Sequence, residues 1–141
     1  MGYYGIGQSV RRDEDPRLLK GRGSYAGDVT LPRQSYAYFL RSPHAHAEIT
    51  NLDVSTARQA PGVLKIFIGE DVAADNLGTP GMVAKRKRPD GADMWAPPQT
   101  PLALGRVRYV GDPIALVVAD SVDQAKSAAE MIDISFNPLP S

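Results

Sequence analysis

Ile114-Ala115-Leu116-Val117-Val118-Ala119-Asp120-Ser121-Val122-Asp123-Gln124 holds the end of a strand and the start of a helix, with two residues between them. Ile114 to Ala119 is apolar at every position, as in a strand inside a sheet that is covered on both faces. Ser121 followed three residues later by Gln124 is a capping box. Val122, Ala125, Ala129 and Ile132 recur behind it at roughly helical spacing. Ile132-Asp133-Ile134-Ser135-Phe136 then alternates as a final strand, and Pro138-Leu139-Pro140-Ser141 reads as a linker.

Ala47 to Phe67 repeats this plan. Ala47, Ile49 and Leu52 form the apolar set of a half-buried strand, and Asp53 or Ser55 caps a short helix that runs through Arg58 and Gln59. Pro61-Gly62 ends that helix, and Val63 to Ile68 is the next strand. Each unit is long enough to cross from one parallel strand to another. The expected fold is therefore α/β (α+β), a mixed sheet with two strand–helix–strand units and helices packed on it.

Upstream, Tyr36-Ala37-Tyr38-Phe39-Leu40-Arg41 is a strand that stops at Ser42-Pro43, because the residue before a proline avoids the helical region and Pro43 has no N–H to donate. Arg41-Ser42-Pro43-His44-Ala45-His46-Ala47 links that strand to the next and carries both histidines of the chain. Val107-Arg108-Tyr109-Val110 is expected to be ordered before a turn at Gly111-Asp112-Pro113, and Glu70 to Ala74 to add a helical turn. Residues 1–11 are expected to be a flexible arm and 12–141 a single domain. Asp15 as N-cap, Pro16 and Gly21 bound one helical turn near its start. Residues 75–100 form a long loop containing Lys85-Arg86-Lys87-Arg88 and Trp95, either functional or mobile.

At 141 residues the chain can build one sizeable core. Sixteen basic and sixteen acidic residues cancel, which argues against nucleic acid or an anionic membrane as partner. The absence of cysteine removes disulfides, thiolate nucleophiles and thiolate metal sites. No run approaches the ~18 apolar residues of a spanning helix, and the expected location is the cytoplasm.

His44-x-His46-x-Glu48 would put three ligand-type side chains on one face if the segment were a continuous strand, but the chain has no further His or Cys to complete a set. Histidines that bond backbone carbonyls or face a partner are the favoured reading, with no metal. Gly2-x-x-Gly5-x-Gly7 and Gly21-x-Gly23-x-x-x-Gly27 lack phosphate-loop spacing and read as turn glycines. The basic run is read as a solvated loop, and Asp13, Glu14 and Asp15 as local ion pairs with Arg11, Arg12 and Arg17.

Several motifs fall together in order. They are Gly7-Gln8-Ser9-Val10-Arg11-Arg12 with Glu14-Asp15-Pro16-Arg17-Leu18-Leu19, then Arg41 to Ala47, Pro61-Gly62-Val63, Arg108-Tyr109-Val110-Gly111-Asp112-Pro113-Ile114-Ala115 and Asn137-Pro138-Leu139-Pro140. This combination resembles the N-terminal region of the molybdenum-binding large subunit of the xanthine dehydrogenase and aldehyde oxidase family, and among its branches it looks most like carbon monoxide dehydrogenase large chains. The resemblance implies an a/b hammerhead domain. It also implies a parent oxidoreductase with a molybdopterin cytosine dinucleotide centre, and iron–sulfur and FAD groups on partner subunits or domains. The family's cofactor-contacting and catalytic residues lie C-terminal to this region, so no catalytic, cofactor-binding or metal residue carries over.

The expected role is thus a non-catalytic domain that packs against the molybdopterin-binding domains. Arg41, Ser42, Pro43, His44, His46, Tyr109, Gly111 and Trp95 are the suspected interface. The alternatives are a free-standing small binding module, or a metal-dependent enzyme using His44, His46 and Glu48.

Overall fold

A computed structural model describes residues 12–76, 87–94 and 99–140. The chain divides into two units, 1–34 and 35–141. In the first, helix α1 (Asp15–Leu19) is followed by a 3-10 turn at Ala26–Asp28. Asp15 lies inside α1 and Glu14 stands at its N-cap position. Two of the expected local ion pairs are present: Arg17 Nη2 reaches Glu14 Oε1 at 3.1 Å, and Arg12 Nε lies 4.0 Å from Asp15 Oδ1, while Arg11 lies outside the described residues.

The second unit contains strands β1 (Tyr36–Arg41), β2 (Ala47–Asp53), β3 (Val63–Ile68), β4 (Arg106–Val107), β5 (Pro113–Ala119) and β6 (Asp133–Pro138). Its helices are α2 (Ser55–Arg58), α3 (Gly69–Ala74) and α4 (Val122–Glu130). Both strand–helix–strand units are present. Their strands, however, do not lie parallel in one mixed sheet. They form two three-stranded antiparallel sheets, in the orders β1-β5-β3 and β4-β2-β6. The β2–α2–β3 unit crosses from the second sheet to the first, and β5–α4–β6 crosses back. A helical connection of this length satisfies either geometry. Antiparallel pairing prevails because each strand's apolar face finds its cover on the other sheet or on α4.

Strand β5 is the centre of the fold. Ala115, Val117 and Ala119 pack against α4 in one buried cluster, while Ile114 joins Ala47, Ala103 and Val107 in a second. A strand apolar on both faces thus separates two small cores, as its composition predicts. Leu52 packs against both cores. Helix α4 lies on the sheet through Ala125, Ala128 and Ala129, whose small side chains allow close approach. Val122, expected on the buried face, is instead exposed at the first helical position. The Ser121 Oγ accepts the Gln124 N–H at 3.2 Å and donates to Gln124 Oε1 at 3.0 Å, so the cap is real.

Asp53 Oδ1 takes the Ser55 N–H at 2.8 Å before α2. This bond, with the Ser55 hydroxyl, holds the Asp53 carboxyl below its ordinary pKa. Gly69 opens α3 where only a glycine fits, since a Cβ there would collide with the Ala103 carbonyl. Within the long loop, residues 87–93 form a tight reversal. Lys87 bridges Asp93, and the Arg88 N–H donates to the Ala92 carbonyl at 2.8 Å. The sequence-expected arm at 1–11 lies outside the described residues.

Candidate docking face at the histidine loop

Strand β1 ends where Pro43 cannot pair, and β2 begins at Ala47, so residues 42–46 must turn between the two sheets. Ser42 builds that turn from the inside. Its hydroxyl accepts the His44 N–H at 3.0 Å and donates to the His44 carbonyl at 2.9 Å, although the side chain is buried. A serine that closes its own loop in this way replaces the water it has lost.

A second turn is tied to the first. The Ser42 N–H donates to the Asp112 carbonyl at 2.9 Å, the Gly111 N–H to the Ser42 carbonyl at 2.8 Å, and Arg41 Nη1 to the Gly111 carbonyl at 2.9 Å. Asp112, buried although charged, takes the Arg108 N–H on Oδ2 at 2.9 Å, and its own N–H donates to the Tyr109 carbonyl at 3.1 Å. Gly111 has φ +89°, a left-handed conformation that a side chain would strain. Expected order at Val107–Val110 therefore takes two forms: only Arg106 and Val107 pair as a strand, and residues 108–112 curl into the Asp112-held turn.

The histidines are occupied locally. His46 Nδ1 lies 2.7 Å from the Pro140 carbonyl, which can only accept, so Nδ1 carries the proton. The Leu139 N–H donates to the His46 carbonyl at 3.0 Å, and the His44 ring lies 4.8 Å from the Phe136 ring, tilted by 56°. Glu48 points to Arg106, at 3.0 Å from its Nη2. The segment is thus not one continuous strand, and His44, His46 and Glu48 serve three different contacts instead of converging on a metal. Among the described residues no three His, Cys, Asp or Glu side chains gather as a metal site.

Arg41, Ser42, Pro43, His44, His46, Tyr109 and Gly111 therefore belong to one tied neighbourhood, while Trp95 lies outside the described residues. Asp112, Arg108, Phe136 and Pro140 join the site beyond the suspected set. The turn at Gly111-Asp112-Pro113 was legible, and Arg108 meets Asp112 within it four residues away, whereas Phe136 and Pro140 reach the histidines only through the pairing of β2 with β6. Tyr109 and Val110 project from the turn with more than half of their surface in water. Partial removal from water raises the Tyr109 phenol above its ordinary pKa, the Asp112 carboxylate adds to the rise, and the Arg41 charge opposes it.

Two small antiparallel sheets joined by helical crossovers, with a hydrogen-bonded pair of loops between their strands, define a small α/β domain. The family described as aldehyde oxidase and xanthine dehydrogenase, a/b hammerhead domain, matches residues 20–140, and the chain belongs to it. It is 38% identical over 134 residues to the nicotine 6-hydroxylase large subunit of Paenarthrobacter nicotinovorans, a match covering 95% of this chain and 16% of that protein. To the carbon monoxide dehydrogenase large chain of Afipia carboxidovorans it is 34% identical, with 96% and 16% covered. Among solved structures, quinoline 2-oxidoreductase from Pseudomonas putida 86 matches with a TM-score of 0.81 at 39% identity, again over 96% of this chain and 16% of that one. The chain thus spans about one sixth of the length of these relatives. No helix among the described residues is long and apolar enough to cross a membrane.

Proposed function

We propose that the chain is the non-catalytic N-terminal hammerhead domain, residues 12–141, of the large subunit of a molybdenum-dependent oxidoreductase. In this role it packs against the molybdopterin-binding domains of the same subunit and helps to shape the wall or entrance of their cavity. The observation that carries the reading is the match of almost the whole chain to a short part of much longer oxidoreductase subunits. The residues that meet those domains are Arg41, Ser42, Pro43, His44, His46, Tyr109 and Gly111, with Trp95 of the long loop. The hydrogen bonds between the two turns support this choice, because they fix Tyr109 and Val110 outward at no further ordering cost when a partner surface arrives.

The parent enzyme would carry molybdopterin cytosine dinucleotide on its C-terminal domains, with iron–sulfur and FAD groups on partner subunits or domains, and would work in the cytoplasm. The residues described here do not fit the molybdenum group. Both histidines are committed to a carbonyl and an aromatic ring, and Glu48 to Arg106. The cofactor belongs to the remainder of the subunit, and no reaction step runs through this domain.

Reading the coding sequence downstream of Ser141, and the mass of the native polypeptide, tests the proposal. Several hundred further residues are expected, and a stop codon beside Ser141 would sink it. In the complete subunit, hydrogen exchange at 108–111 and 43–46 is expected to be slower than in the 141-residue chain; equal rates would remove the assignment of the face.

A further inference from the structure

We infer that residues 12–34 are a docking arm, and that the surface it covers belongs to the remainder of its own polypeptide beyond Ser141. The inference rests on the reading of the chain as part of a larger subunit and goes beyond it by naming a second contact, separate from the histidine loop.

The arm has local structure and no core. Helix α1 and the 3-10 turn contain no buried residue. Leu19 is 86% exposed, Tyr25 67%, Val29 50% and Leu31 64%. The backbone is nevertheless shaped: Asp28 Oδ2 accepts the Tyr25 N–H at 2.9 Å, and Gln34 Oε1 accepts the Leu31 N–H at 2.8 Å. Ordering a segment costs conformational entropy, and here no apolar burial within the arm offsets it. Four large apolar side chains held outward on a shaped backbone are the pattern of a patch that another surface covers.

Charge narrows the occupant. Residues 12–34 carry five Lys or Arg and four Asp or Glu, so the arm has almost no net charge. Nucleic acid or an anionic lipid surface would ask for a basic excess. An apolar protein surface asks for what the arm presents. The same polypeptide supplies that surface at the highest local concentration, and tethering lets a patch too small for tight free association bind in full. The matches with relatives agree with this choice. They cover 95% and 96% of this chain, which leaves too few residues outside to exclude the arm, whereas the hammerhead description itself begins at residue 20. The start of the arm is therefore shared with long subunits, upstream of the stretch that the family description matches.

Trypsin is the probe, because Arg17, Lys20 and Arg22 are exposed cleavage points within the arm. The complete polypeptide, free of other subunits, is compared with its Leu19→Asp/Leu31→Asp variant, with circular dichroism to show that the rest of the variant stays folded. Slow cleavage at these three sites is expected in the parent, accelerated roughly tenfold or more in the variant, since cleavage follows the population of the open form. A parent cut as fast as the variant overturns the inference. Protection that appears only after other subunits are added overturns it too, and assigns the arm to a partner. A polypeptide that ends at Ser141 removes the occupant and overturns the larger reading with it; a long polypeptide with an unprotected arm overturns this inference alone.

Discussion

The arm at 12–34 and the paired turns at 41–46 and 108–112 both lie largely outside the strands and long helices, yet they are held in opposite ways. The turns are tied by bonds between residues about seventy apart in sequence, such as Arg41 to Gly111, with Ser42 and Asp112 buried at their centre. The arm's hydrogen bonds join near neighbours, as in Tyr25 to Asp28, and nothing in it is buried. A loop that buries its polar anchors inside its own domain is rigid before it meets a partner. A loop that leaves its apolar residues in water depends on what it meets.

Substitutions separate the two regions by size of effect. The largest is expected from Asp112→Ala, which strips the buried carboxylate that accepts the half-buried Arg108 N–H and should cost about 2 kcal/mol in urea unfolding of the chain. Ser42→Ala removes the hydroxyl that both accepts from and donates to His44, and about 1–2 kcal/mol is expected in the same measurement. Gly111→Ala forces a side chain into a left-handed backbone and should cost about 1 kcal/mol. At the other extreme, Leu31→Ser in the arm should change the stability of the 141-residue chain by less than about 0.5 kcal/mol. An arm variant as damaging as Asp112→Ala would erase the contrast.

A pH titration sharpens the same comparison. The Tyr109 pKa is raised in the fold, chiefly by removal from water. Above the ordinary phenol value of 10.0 the unfolded chain releases its proton first, so stability is intact below that pH and declines as pH rises through the folded value. Tyr109→Phe should flatten that alkaline decline in unfolding curves collected between neutral and strongly basic pH, and an unchanged slope would show that Tyr109 does not cause it.

Much of this architecture is legible residue by residue. Tyr36–Arg41 and Val63–Ile68 fall where their composition and their Pro or Gly boundaries put them, and Ser121 caps α4 as its spacing requires. The family resemblance carried by Arg41–Ala47 and Arg108–Ala115 holds as well. These features depend on near neighbours or on the order of motifs along the chain. The pairing of strands was not legible, because a crossover of given length serves a parallel neighbour or a second sheet equally well. The histidines were legible in kind and not in partner: a bond to a backbone carbonyl was the favoured reading and His46 makes one, whereas the alternation that put His44, His46 and Glu48 on one face is broken by the turn at Ser42.

By itself the sequence determined most of the elements, the Ser121 cap of α4, the family and the apolar centre at β5, because these are set by local backbone preference and by the chemistry of consecutive side chains. Only the tertiary structure decided that there are two antiparallel sheets, that Asp112 locks one turn to another, and that His46 holds the Pro140 carbonyl. Each of those joins groups far apart in the chain, and their meeting depends on which faces can be buried together.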